Sequence, residues 1–457
     1  MHLKSNEQRI IKSGLWLYSS QTIKLLSILI IYPLIIFTHD EYSLGVWIGT
    51  IALVSFIHLS DLGFHLPWIN LLSERRINNS KNFIEVLYSG LALFFLIILF
   101  ATIIFLIFGT RIYDYLYSEA TDPRLFSILV LANAFLFMTK IIRSVYRSFL
   151  ETPKAVKFEA ISDCLIFFVS LIALYFFSSS LLTLSILYFA CSIAMFFLAA
   201  FTLFKDPRVA GARLKAIKLK DIFKELSKNA SRNFLSILSN SLNTNLPLII
   251  VTSLLGAIPA AIISGARTIS NIPRQVNSVF HTSSVPEFNA LNATNDIKGI
   301  IQLFSKILKF TVFSNIIISL ILIVFGPYFL NLWLGFDIEE AKPLFFVFAI
   351  WSLIEGVKMV SHESLIGANR FNVVSLSDIS ATIISILLLY SLIEHAGIIA
   401  VPLAMLISTG IIGAPMLLAY QARLMNSMNF NKTILSYFLI TLIAISLQSL
   451  VFFNIYT

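Results

Sequence analysis

The chain has 457 residues; 58% are hydrophobic and only 12% charged, and mean hydropathy is +0.87. Charge at about half the usual level excludes an ordinary water-soluble domain and points to the bilayer. The net charge of +9 and pI near 9.4 invite a nucleic-acid reading. The basic residues instead gather in the connections between apolar stretches, with no basic-aromatic module among them, so membrane topology accounts for them and no nucleic-acid partner is expected.

Apolar stretches follow one another at 14–37, 44–66, 87–108, 125–146, 158–178, 181–204, 233–255, 258–282, 310–330, 343–366, 373–393, 397–420 and 434–454. Each is long enough to cross a hydrocarbon core of ~30 Å as a helix rising 1.5 Å per residue. Lipid offers backbone amides no partner, so helix is the expected state of all thirteen. The connections alternate between rich and poor in Lys and Arg. Placing the rich set (1–13, 67–85, 147–157, 205–232, 283–309, 367–371, 421–432) in the cytoplasm puts 24 of the 33 Lys and Arg inside, three outside (Arg111, Arg124, Lys342) and six within spans. The N-terminus is then cytoplasmic. Cys164 and Cys191 both fall inside spans, which excludes a disulfide framework. No small-residue cleavage site follows the first apolar run, so it is expected to remain as a span.

The fold class expected is all-α, a polytopic transmembrane helix bundle. A six-helix lobe over 1–204 is followed by a basic cytoplasmic connector over 205–229, a second six-helix lobe over 230–425 and an additional C-terminal segment over 426–457. The stretch 205–232 carries nine Lys and Arg; its simplest role is a solvated topology anchor. The lobes look related. Pro67-Trp68-Ile69-Asn70-Leu71-Leu72 and Pro286-Glu287-Phe288-Asn289-Ala290-Leu291 share the pattern P-x-[IF]-N-x-L at the inner ends of the second and eighth spans. Leu150 to Asp163 lies without gaps over Leu365 to Asp378, and the same offset of 215 pairs Arg143 with Lys358, Arg147 with His362 and Lys140 with Glu355. A parallel 6+6 repeat is a standard transporter plan.

Ionisable residues inside spans cost a few kcal/mol each and belong on wet or protein-lined faces. Lys24 sits in the middle of the first span. Lys140, Arg143 and Arg147 occupy i, i+3 and i+7 of the fourth, and Glu355, Lys358 and His362 do the same in the tenth. Arg267, Arg274 and His281 recur every seven residues in the eighth. The alternatives are local. Arg147 and His281 lie near span ends and can snorkel, Arg274 can pair with a buried carboxylate, and Lys358 has Glu355 one turn away. Glu159 and Asp163 neutralise neighbouring cations or carry a proton; Asp378 holds the place matching Asp163, and Asp61 lies near the inner end of the second span. The seventh span opens with Ser236, Ser239, Asn240, Ser241, Asn243, Thr244 and Asn245, suited to a sugar- or water-facing wall or to hydrogen bonds between helices. Together these residues describe a cavity with more fixed cations than anions, suited to an anionic cargo and to phosphate above all. The candidate cavity residues are Lys24, Lys140, Arg143, Arg267, Arg274, Lys358, Asn240, Asn243 and Asn245. Asp163, Glu355 and Asp378 are the candidates for ion coupling.

No phosphate-cradling P-loop, metal-ligand cluster or nucleophilic triad is present, and the external connections are short. No enzyme activity, cofactor or metal is therefore expected.

Four segments carry a resemblance over nearly the whole chain: Ser60-Asp61-Leu62-Gly63-Phe64, Arg147-Ser148-Phe149-Leu150-Glu151, Ser264-Gly265-Ala266-Arg267 with Pro286 closing that helix, and Leu365-Ile366-Gly367-Ala368-Asn369-Arg370. In these the chain resembles the polysaccharide branch of the multidrug/oligosaccharidyl-lipid/polysaccharide exporter superfamily, the Wzx-type O-antigen flippases. It departs from that pattern in the seventh span, where Asn243 and Asn245 stand in place of an acidic residue. The resemblance implies two six-helix bundles forming a V in the bacterial inner membrane. It implies translocation of an undecaprenyl-diphosphate-linked oligosaccharide from the inner to the outer leaflet by alternating access; coupling to a proton or sodium gradient is a separate expectation, resting on the candidates Asp163, Glu355 and Asp378. Membrane lipid and other polysaccharide-assembly proteins are the partners it implies. The rivals are a drug or organic-cation exporter and a lipid II flippase of the same superfamily, and a membrane-bound glycosyltransferase or acyltransferase.

Overall fold

In the computed structural model the described residues are 2–77, 82–117, 122–149, 151–210, 218–425 and 428–456, and no strand occurs among them. Lys81, Leu150, Arg213 and Lys215 lie outside the described residues, as do the side chains of Lys4, Arg9, Lys12, Pro286 and Lys432. Contacts divide the chain into two compact units, Met1–Ile237 and Leu238–Thr457.

The first unit runs α1 (His2–Thr38), α2 (Glu41–Ser55), a 3-10 turn (Phe56–Asp61), α3 (His65–Ile77), α4 (Phe83–Ile104), a π turn (Phe105–Gly109), α5 (Thr110–Tyr117), α6 (Arg124–Ser148), α7 (Thr152–Phe177), α8 (Leu181–Phe204) and the first half of α9 (Leu219–Leu255). Side chains start two of the spans. The Asp40 carboxylate accepts the Ser43 N–H at 2.6 Å to cap α2, and Ser180 Oγ accepts the Thr183 N–H at 3.2 Å to cap α8. α1 packs along α7, and α6 along α8.

The expected second span does not continue to residue 66. Its helix tightens at Phe56 and ends at Leu62, which is left-handed (φ 49°), followed by Gly63 at φ +75°. A Cβ on Gly63 would strike the Ala230 carbonyl of α9, so this turn needs glycine both for its φ and for the approach of the neighbouring backbone. The Asp61 carboxylate then accepts the His65 N–H at 2.8 Å and opens α3. Residues 219–229, expected in the connector, are the first turns of α9. Ile222, Leu226 and Ala230 recur every four residues and are buried, Phe223 packs edge-on against Phe64, and the face so covered holds this segment helical.

A polar corner joins the ends of α6, α7 and α8. Arg208 bridges Asp206 at 2.7 Å and Glu151 at 2.8 Å, its guanidinium lies over the Phe149 ring at 3.9 Å, and Lys154 reaches Asp206 at 3.7 Å. The hydrogen bonds from Arg208 hold the Asp206 carboxyl down at about 2.

The second unit continues α9 and adds α10 (Ala257–Ser270), α11 (Ile272–Ala293), α12 (Ile297–Leu334), α13 (Ile338–Gly367), α14 (Phe371–Ala396), a 3-10 turn (Gly397–Ile399), α15 (Ala400–Ser408), a π turn (Thr409–Gly413), α16 (Ala414–Met425) and α17 (Met428–Tyr456). Asp296 and Asp337 cap α12 and α13 through the Gly299 and Glu339 N–H groups at 2.9 and 3.0 Å. α12 and α13 lie against each other, with Gly326 under the Phe345 ring and Gly356 under the Asn315 amide. The expected continuous helix over 258–282 is divided at Asn271. Pro273, in the first turn of α11, has neither the N–H nor the room to continue α10. An offset of 215 residues lays α6 on α13, α7 on α14, and α8 on α15 and α16.

Among the described residues, ten helical stretches are long and apolar enough to cross a membrane. They take up eleven of the thirteen expected spans, because 373–393 and 397–420 join in one stretch, Phe371–Met425. The divided α10 and α11 fall short, and of the last expected span the described part is a shorter apolar helix, Ile440–Asn454. Large apolar side chains such as Phe37 (87% exposed), Leu332 (86%) and Phe100 (67%) stand outward. A water-soluble surface avoids so much bare hydrocarbon, whereas a lipid-facing one requires it. The chain is a multi-pass membrane protein with an all-α, helix-bundle fold.

Candidate functional site

The first unit gathers charges from three helices. Lys24 of α1 lies 2.8 Å from Glu159 and 3.5 Å from Asp163, both on α7, and Arg143 of α6 stands 3.6 Å from the other Glu159 oxygen. Ser20, one turn before Lys24 and almost fully buried, donates to Asp163 at 2.6 Å. Glu159 and Asp163 share a face because they are four residues apart on one helix. Two cations and two anions thus meet at one point and cancel. Lys140, one turn from Arg143, instead approaches the buried Asp61 carboxylate at 3.9 Å. Arg147 is exposed. The expected single cationic face of this helix is therefore divided among two acidic partners and solvent.

The second unit has a similar cluster between α13 and α14. Lys358 lies 3.1 Å from Asp378 and 3.8 Å from Glu355, and His362 Nε2 lies 3.4 Å from the second Asp378 oxygen. Of the two readings for Lys358, the distances give the ion pair, with Asp378 as the closer partner. Among the described residues Glu355 is left with a single long ion-pair contact.

Arg267 binds backbone. Its guanidinium donates to the carbonyls of Thr244 at 2.7 Å and Asn243 at 3.0 Å. The cause lies in α9, which contains Pro247. Proline has no N–H, so the carbonyl four residues earlier, that of Asn243, loses its helical partner; Arg267 supplies the missing donor. The side chains of Asn243 and Asn245 are half-buried and that of Asn240 is exposed. Ser239 exchanges a 2.9 Å hydrogen bond with Thr382, so hydrogen bonding between helices accounts for one residue of this polar stretch.

Arg274 differs from the other expected cations. It is exposed, and no hydrogen bond or carboxylate partner meets it among the described residues. It borders a cavity of about 130 Å³ enclosed by α10, α11, α12 and α13, whose wall includes Ser270, Asn277, Asn315, Trp351 and Glu355. Part of that wall is a closed network. Asn277 donates to Asn315 at 2.6 Å, Asn315 donates to the Ser352 carbonyl at 2.9 Å, and Ser314 donates to Asn277 at 2.8 Å. His281 joins Thr311 at 2.8 Å below it. Ser270 is 1% exposed, yet its hydroxyl has no hydrogen-bond partner among the described residues.

Of the residues marked in the sequence, then, Lys24, Arg143 and Asp163 come together in one unit and Lys358, Glu355 and Asp378 in the other. Lys140 pairs separately, Arg267 braces a helix, and Arg274 borders the cavity. The sequence reading did not mark Ser20, Ser270, Asn277, Asn315 or Trp351. Asn315 had a usable signal, an amide within a long apolar run, while Ser20, Ser270 and Asn277, in its polar surroundings, had none.

No protein-family model matches the chain, and no curated protein sequence is similar to it. Solved structures are similar in fold. An inward-facing multidrug resistance MATE family transporter of the MOP superfamily matches with a TM-score of 0.72 at 13% identity, over 91% of this chain and 96% of that one. The lipid II flippase MurJ, inward closed, matches with a TM-score of 0.69 at 17% identity, over 96% and 98%. A MOP superfamily transporter from Pyrococcus furiosus, described as having a binding pocket of reversed polarity, matches with a TM-score of 0.63 at 13% identity, over 92% and 96%.

Proposed function

We propose that the chain is a flippase that carries a diphosphate-linked polyprenyl oligosaccharide, an O-antigen, capsule or exopolysaccharide repeat unit, from the inner to the outer leaflet. The fold shared with transporters and a lipid flippase supports the class, and the charge pattern supports the cargo. Six Lys and Arg lie within the expected spans. Four of them are neutralised by carboxylates in the same unit, and Arg267 is engaged by carbonyls. The observation that carries the reading is Arg274, the one of the six left without a partner among the described residues, at the edge of a polar cavity. An unpaired guanidinium there has charge and donors for a phosphate, and it lowers the prohibitive cost of bringing a charged head group across hydrocarbon.

In this reading the glycan crosses in the wet interior, the polyprenyl tail stays in lipid, and the units alternate access. Asp163, Glu355 and Asp378 are the coupling candidates; Glu355 is the least neutralised of them, with Lys358 at 3.8 Å. Cation export is the second reading, favoured by the similarity to a multidrug transporter and by the acidic residues of the two clusters.

The test is flipping in proteoliposomes of an undecaprenyl-diphosphate-linked repeat unit, with and without a pH or sodium gradient, alongside efflux of a cationic dye. Flipping by the wild type, its loss in Arg274→Ala with partial recovery in Arg274→Lys, and no dye efflux are expected. Dye efflux without flipping replaces this reading with the second.

A further inference from the structure

The cavity beside Arg274 has a composition that a phosphate alone does not explain. Its network of Asn277, Asn315, Ser314 and Ser352 is internally satisfied and forms a rigid polar wall. Three polar side chains of the lining make no hydrogen bond among the described residues. The Arg274 guanidinium donates only, and being exposed it marks the mouth. The Glu355 carboxylate accepts only, is 8% exposed, and among the described residues meets only Lys358, at 3.8 Å. The buried Ser270 hydroxyl does both and has no partner among the described residues. A buried hydroxyl left unmade costs about 1–3 kcal/mol, and such a group asks for a ligand or a water. Trp351 lines the rest of the wall together with Ser278, His281, Gly356 and Met359. The Trp351 N–H is taken by Thr409 Oγ1 at 3.3 Å, so the indole offers the cavity apolar ring surface.

One deep acceptor, one hydroxyl, an aromatic surface and a cation at the rim are the complement of a sugar ring bearing a phosphate. The volume of about 130 Å³ is close to that of a cavity of ~150 Å³ that takes up one six-membered ring, and too small for an oligosaccharide. We infer that this chamber of the second unit seats the phosphate-bearing first sugar of a glycosyl phosphate, with Arg274 taking the phosphate and Ser270, Glu355 and Trp351 taking the pyranose. The assignment rests on the flippase reading and deepens it: the repeat unit is recognised by its first sugar, and the rest of the glycan lies outside the chamber. Glu355 is then a cargo contact. The same chemistry is offered by a lipid-linked head group and by a soluble sugar phosphate.

The experiment is calorimetric titration of the full-length protein in detergent. The probes are inorganic phosphate, free glucose and N-acetylglucosamine, their 1-phosphates, and undecaprenyl-diphosphate N-acetylglucosamine. A hexose 1-phosphate is expected to bind about tenfold or more tightly than phosphate or free hexose. Glu355→Gln and Ser270→Ala, near-isosteric changes checked for folding by melting temperature, should abolish that advantage and leave phosphate binding intact; Arg274→Ala should remove both. The inference is overturned if phosphate and every hexose 1-phosphate bind equally or not at all, or if Glu355→Gln and Ser270→Ala both keep the advantage. The two readings fail separately. Lipid-linked cargo flipped without any sugar advantage sinks the chamber and leaves the flippase. A soluble hexose 1-phosphate that binds with the expected variant pattern, without flipping of the lipid-linked form, leaves the chamber and sinks the flippase.

Discussion

Arg267 takes over a hydrogen bond that proline removes. The Asn243 carbonyl loses its partner to Pro247, and in lipid an orphaned carbonyl has no water to turn to. A planar guanidinium can bridge two successive carbonyls, which an ammonium cannot. Arg267→Ala is therefore expected to destabilise the second unit by about 1.5–3 kcal/mol, the range for hydrogen bonds to a charged group, and Arg267→Lys to recover only part of it. Pro247→Ala returns an N–H to the ladder and should make the loss of Arg267 milder; additive losses in a double-mutant cycle of melting temperatures would refute the brace. A transport defect without any stability change would instead return Arg267 to the cargo path, as its position in the span first implied. The charges themselves were legible in the sequence, because each ionisable residue in an apolar run is conspicuous. Their partners were not. Lys24 and Glu159 are 135 residues apart, and Ser20 and Asp163 are 143 apart. Such pairings are set by which helices pack, and no local pattern encodes that choice. The cationic excess read from composition shrinks once those pairs form.

At the scale of elements, hydropathy read the helices well and their interruptions poorly. A window of twenty residues averages over a single turn. The breaks at Leu62 and Asn271 therefore vanished into continuous spans, although Asp61-Leu62-Gly63 and Pro273 are the local chemistry of a cap, a left-handed turn and a helix start. Close contact between helices is similarly invisible until the partner is known. Gly356 shows its consequence. A Cβ there would collide with the Asn315 amide, which is held between Asn277 and the Ser352 carbonyl and has little freedom to yield. Gly356→Ala should cost about 1–3 kcal/mol through overpacking of α12 on α13. Gly410→Ala meets only the Ile354 side chain at 3.6 Å and should change stability by less than about 0.5 kcal/mol. Thermal unfolding in detergent compares the two, and equal effects would show that the α12–α13 contact is looser than the structure has it. Gly356 also borders the chamber, so its replacement should weaken any ligand held there while the Gly410 variant binds normally.

For the whole molecule, orientation is the property that decides which leaflet would supply the cargo proposed above. The sequence bears on it through charge alone: 24 Lys and Arg fall on one set of connections and three on the other. Lys and Arg near span ends set topology because moving each across the bilayer centre costs roughly 2.5–3.5 kcal/mol on insertion scales. Inverting the chain would mean translocating the 205–232 stretch with its nine cations. Single thiols measure this directly. In a Cys164→Ser, Cys191→Ser background, Ser179→Cys in the first unit and His395→Cys in the second should react with a membrane-impermeant maleimide on intact cells. Glu74→Cys and Lys298→Cys should react only after the membrane is opened. All four positions carry side chains at least partly exposed in the structure, so a silent thiol reports the membrane and not burial. Ser179 and His395 belong to different units, and their agreement is the point of the experiment. Two units that start on the same side, as a parallel repeat requires, expose both. Labelling of one without the other on intact cells would mean that an odd number of spans had been miscounted between them, and the parallel repeat, together with the inner-to-outer direction assigned to the cargo, would have to be given up.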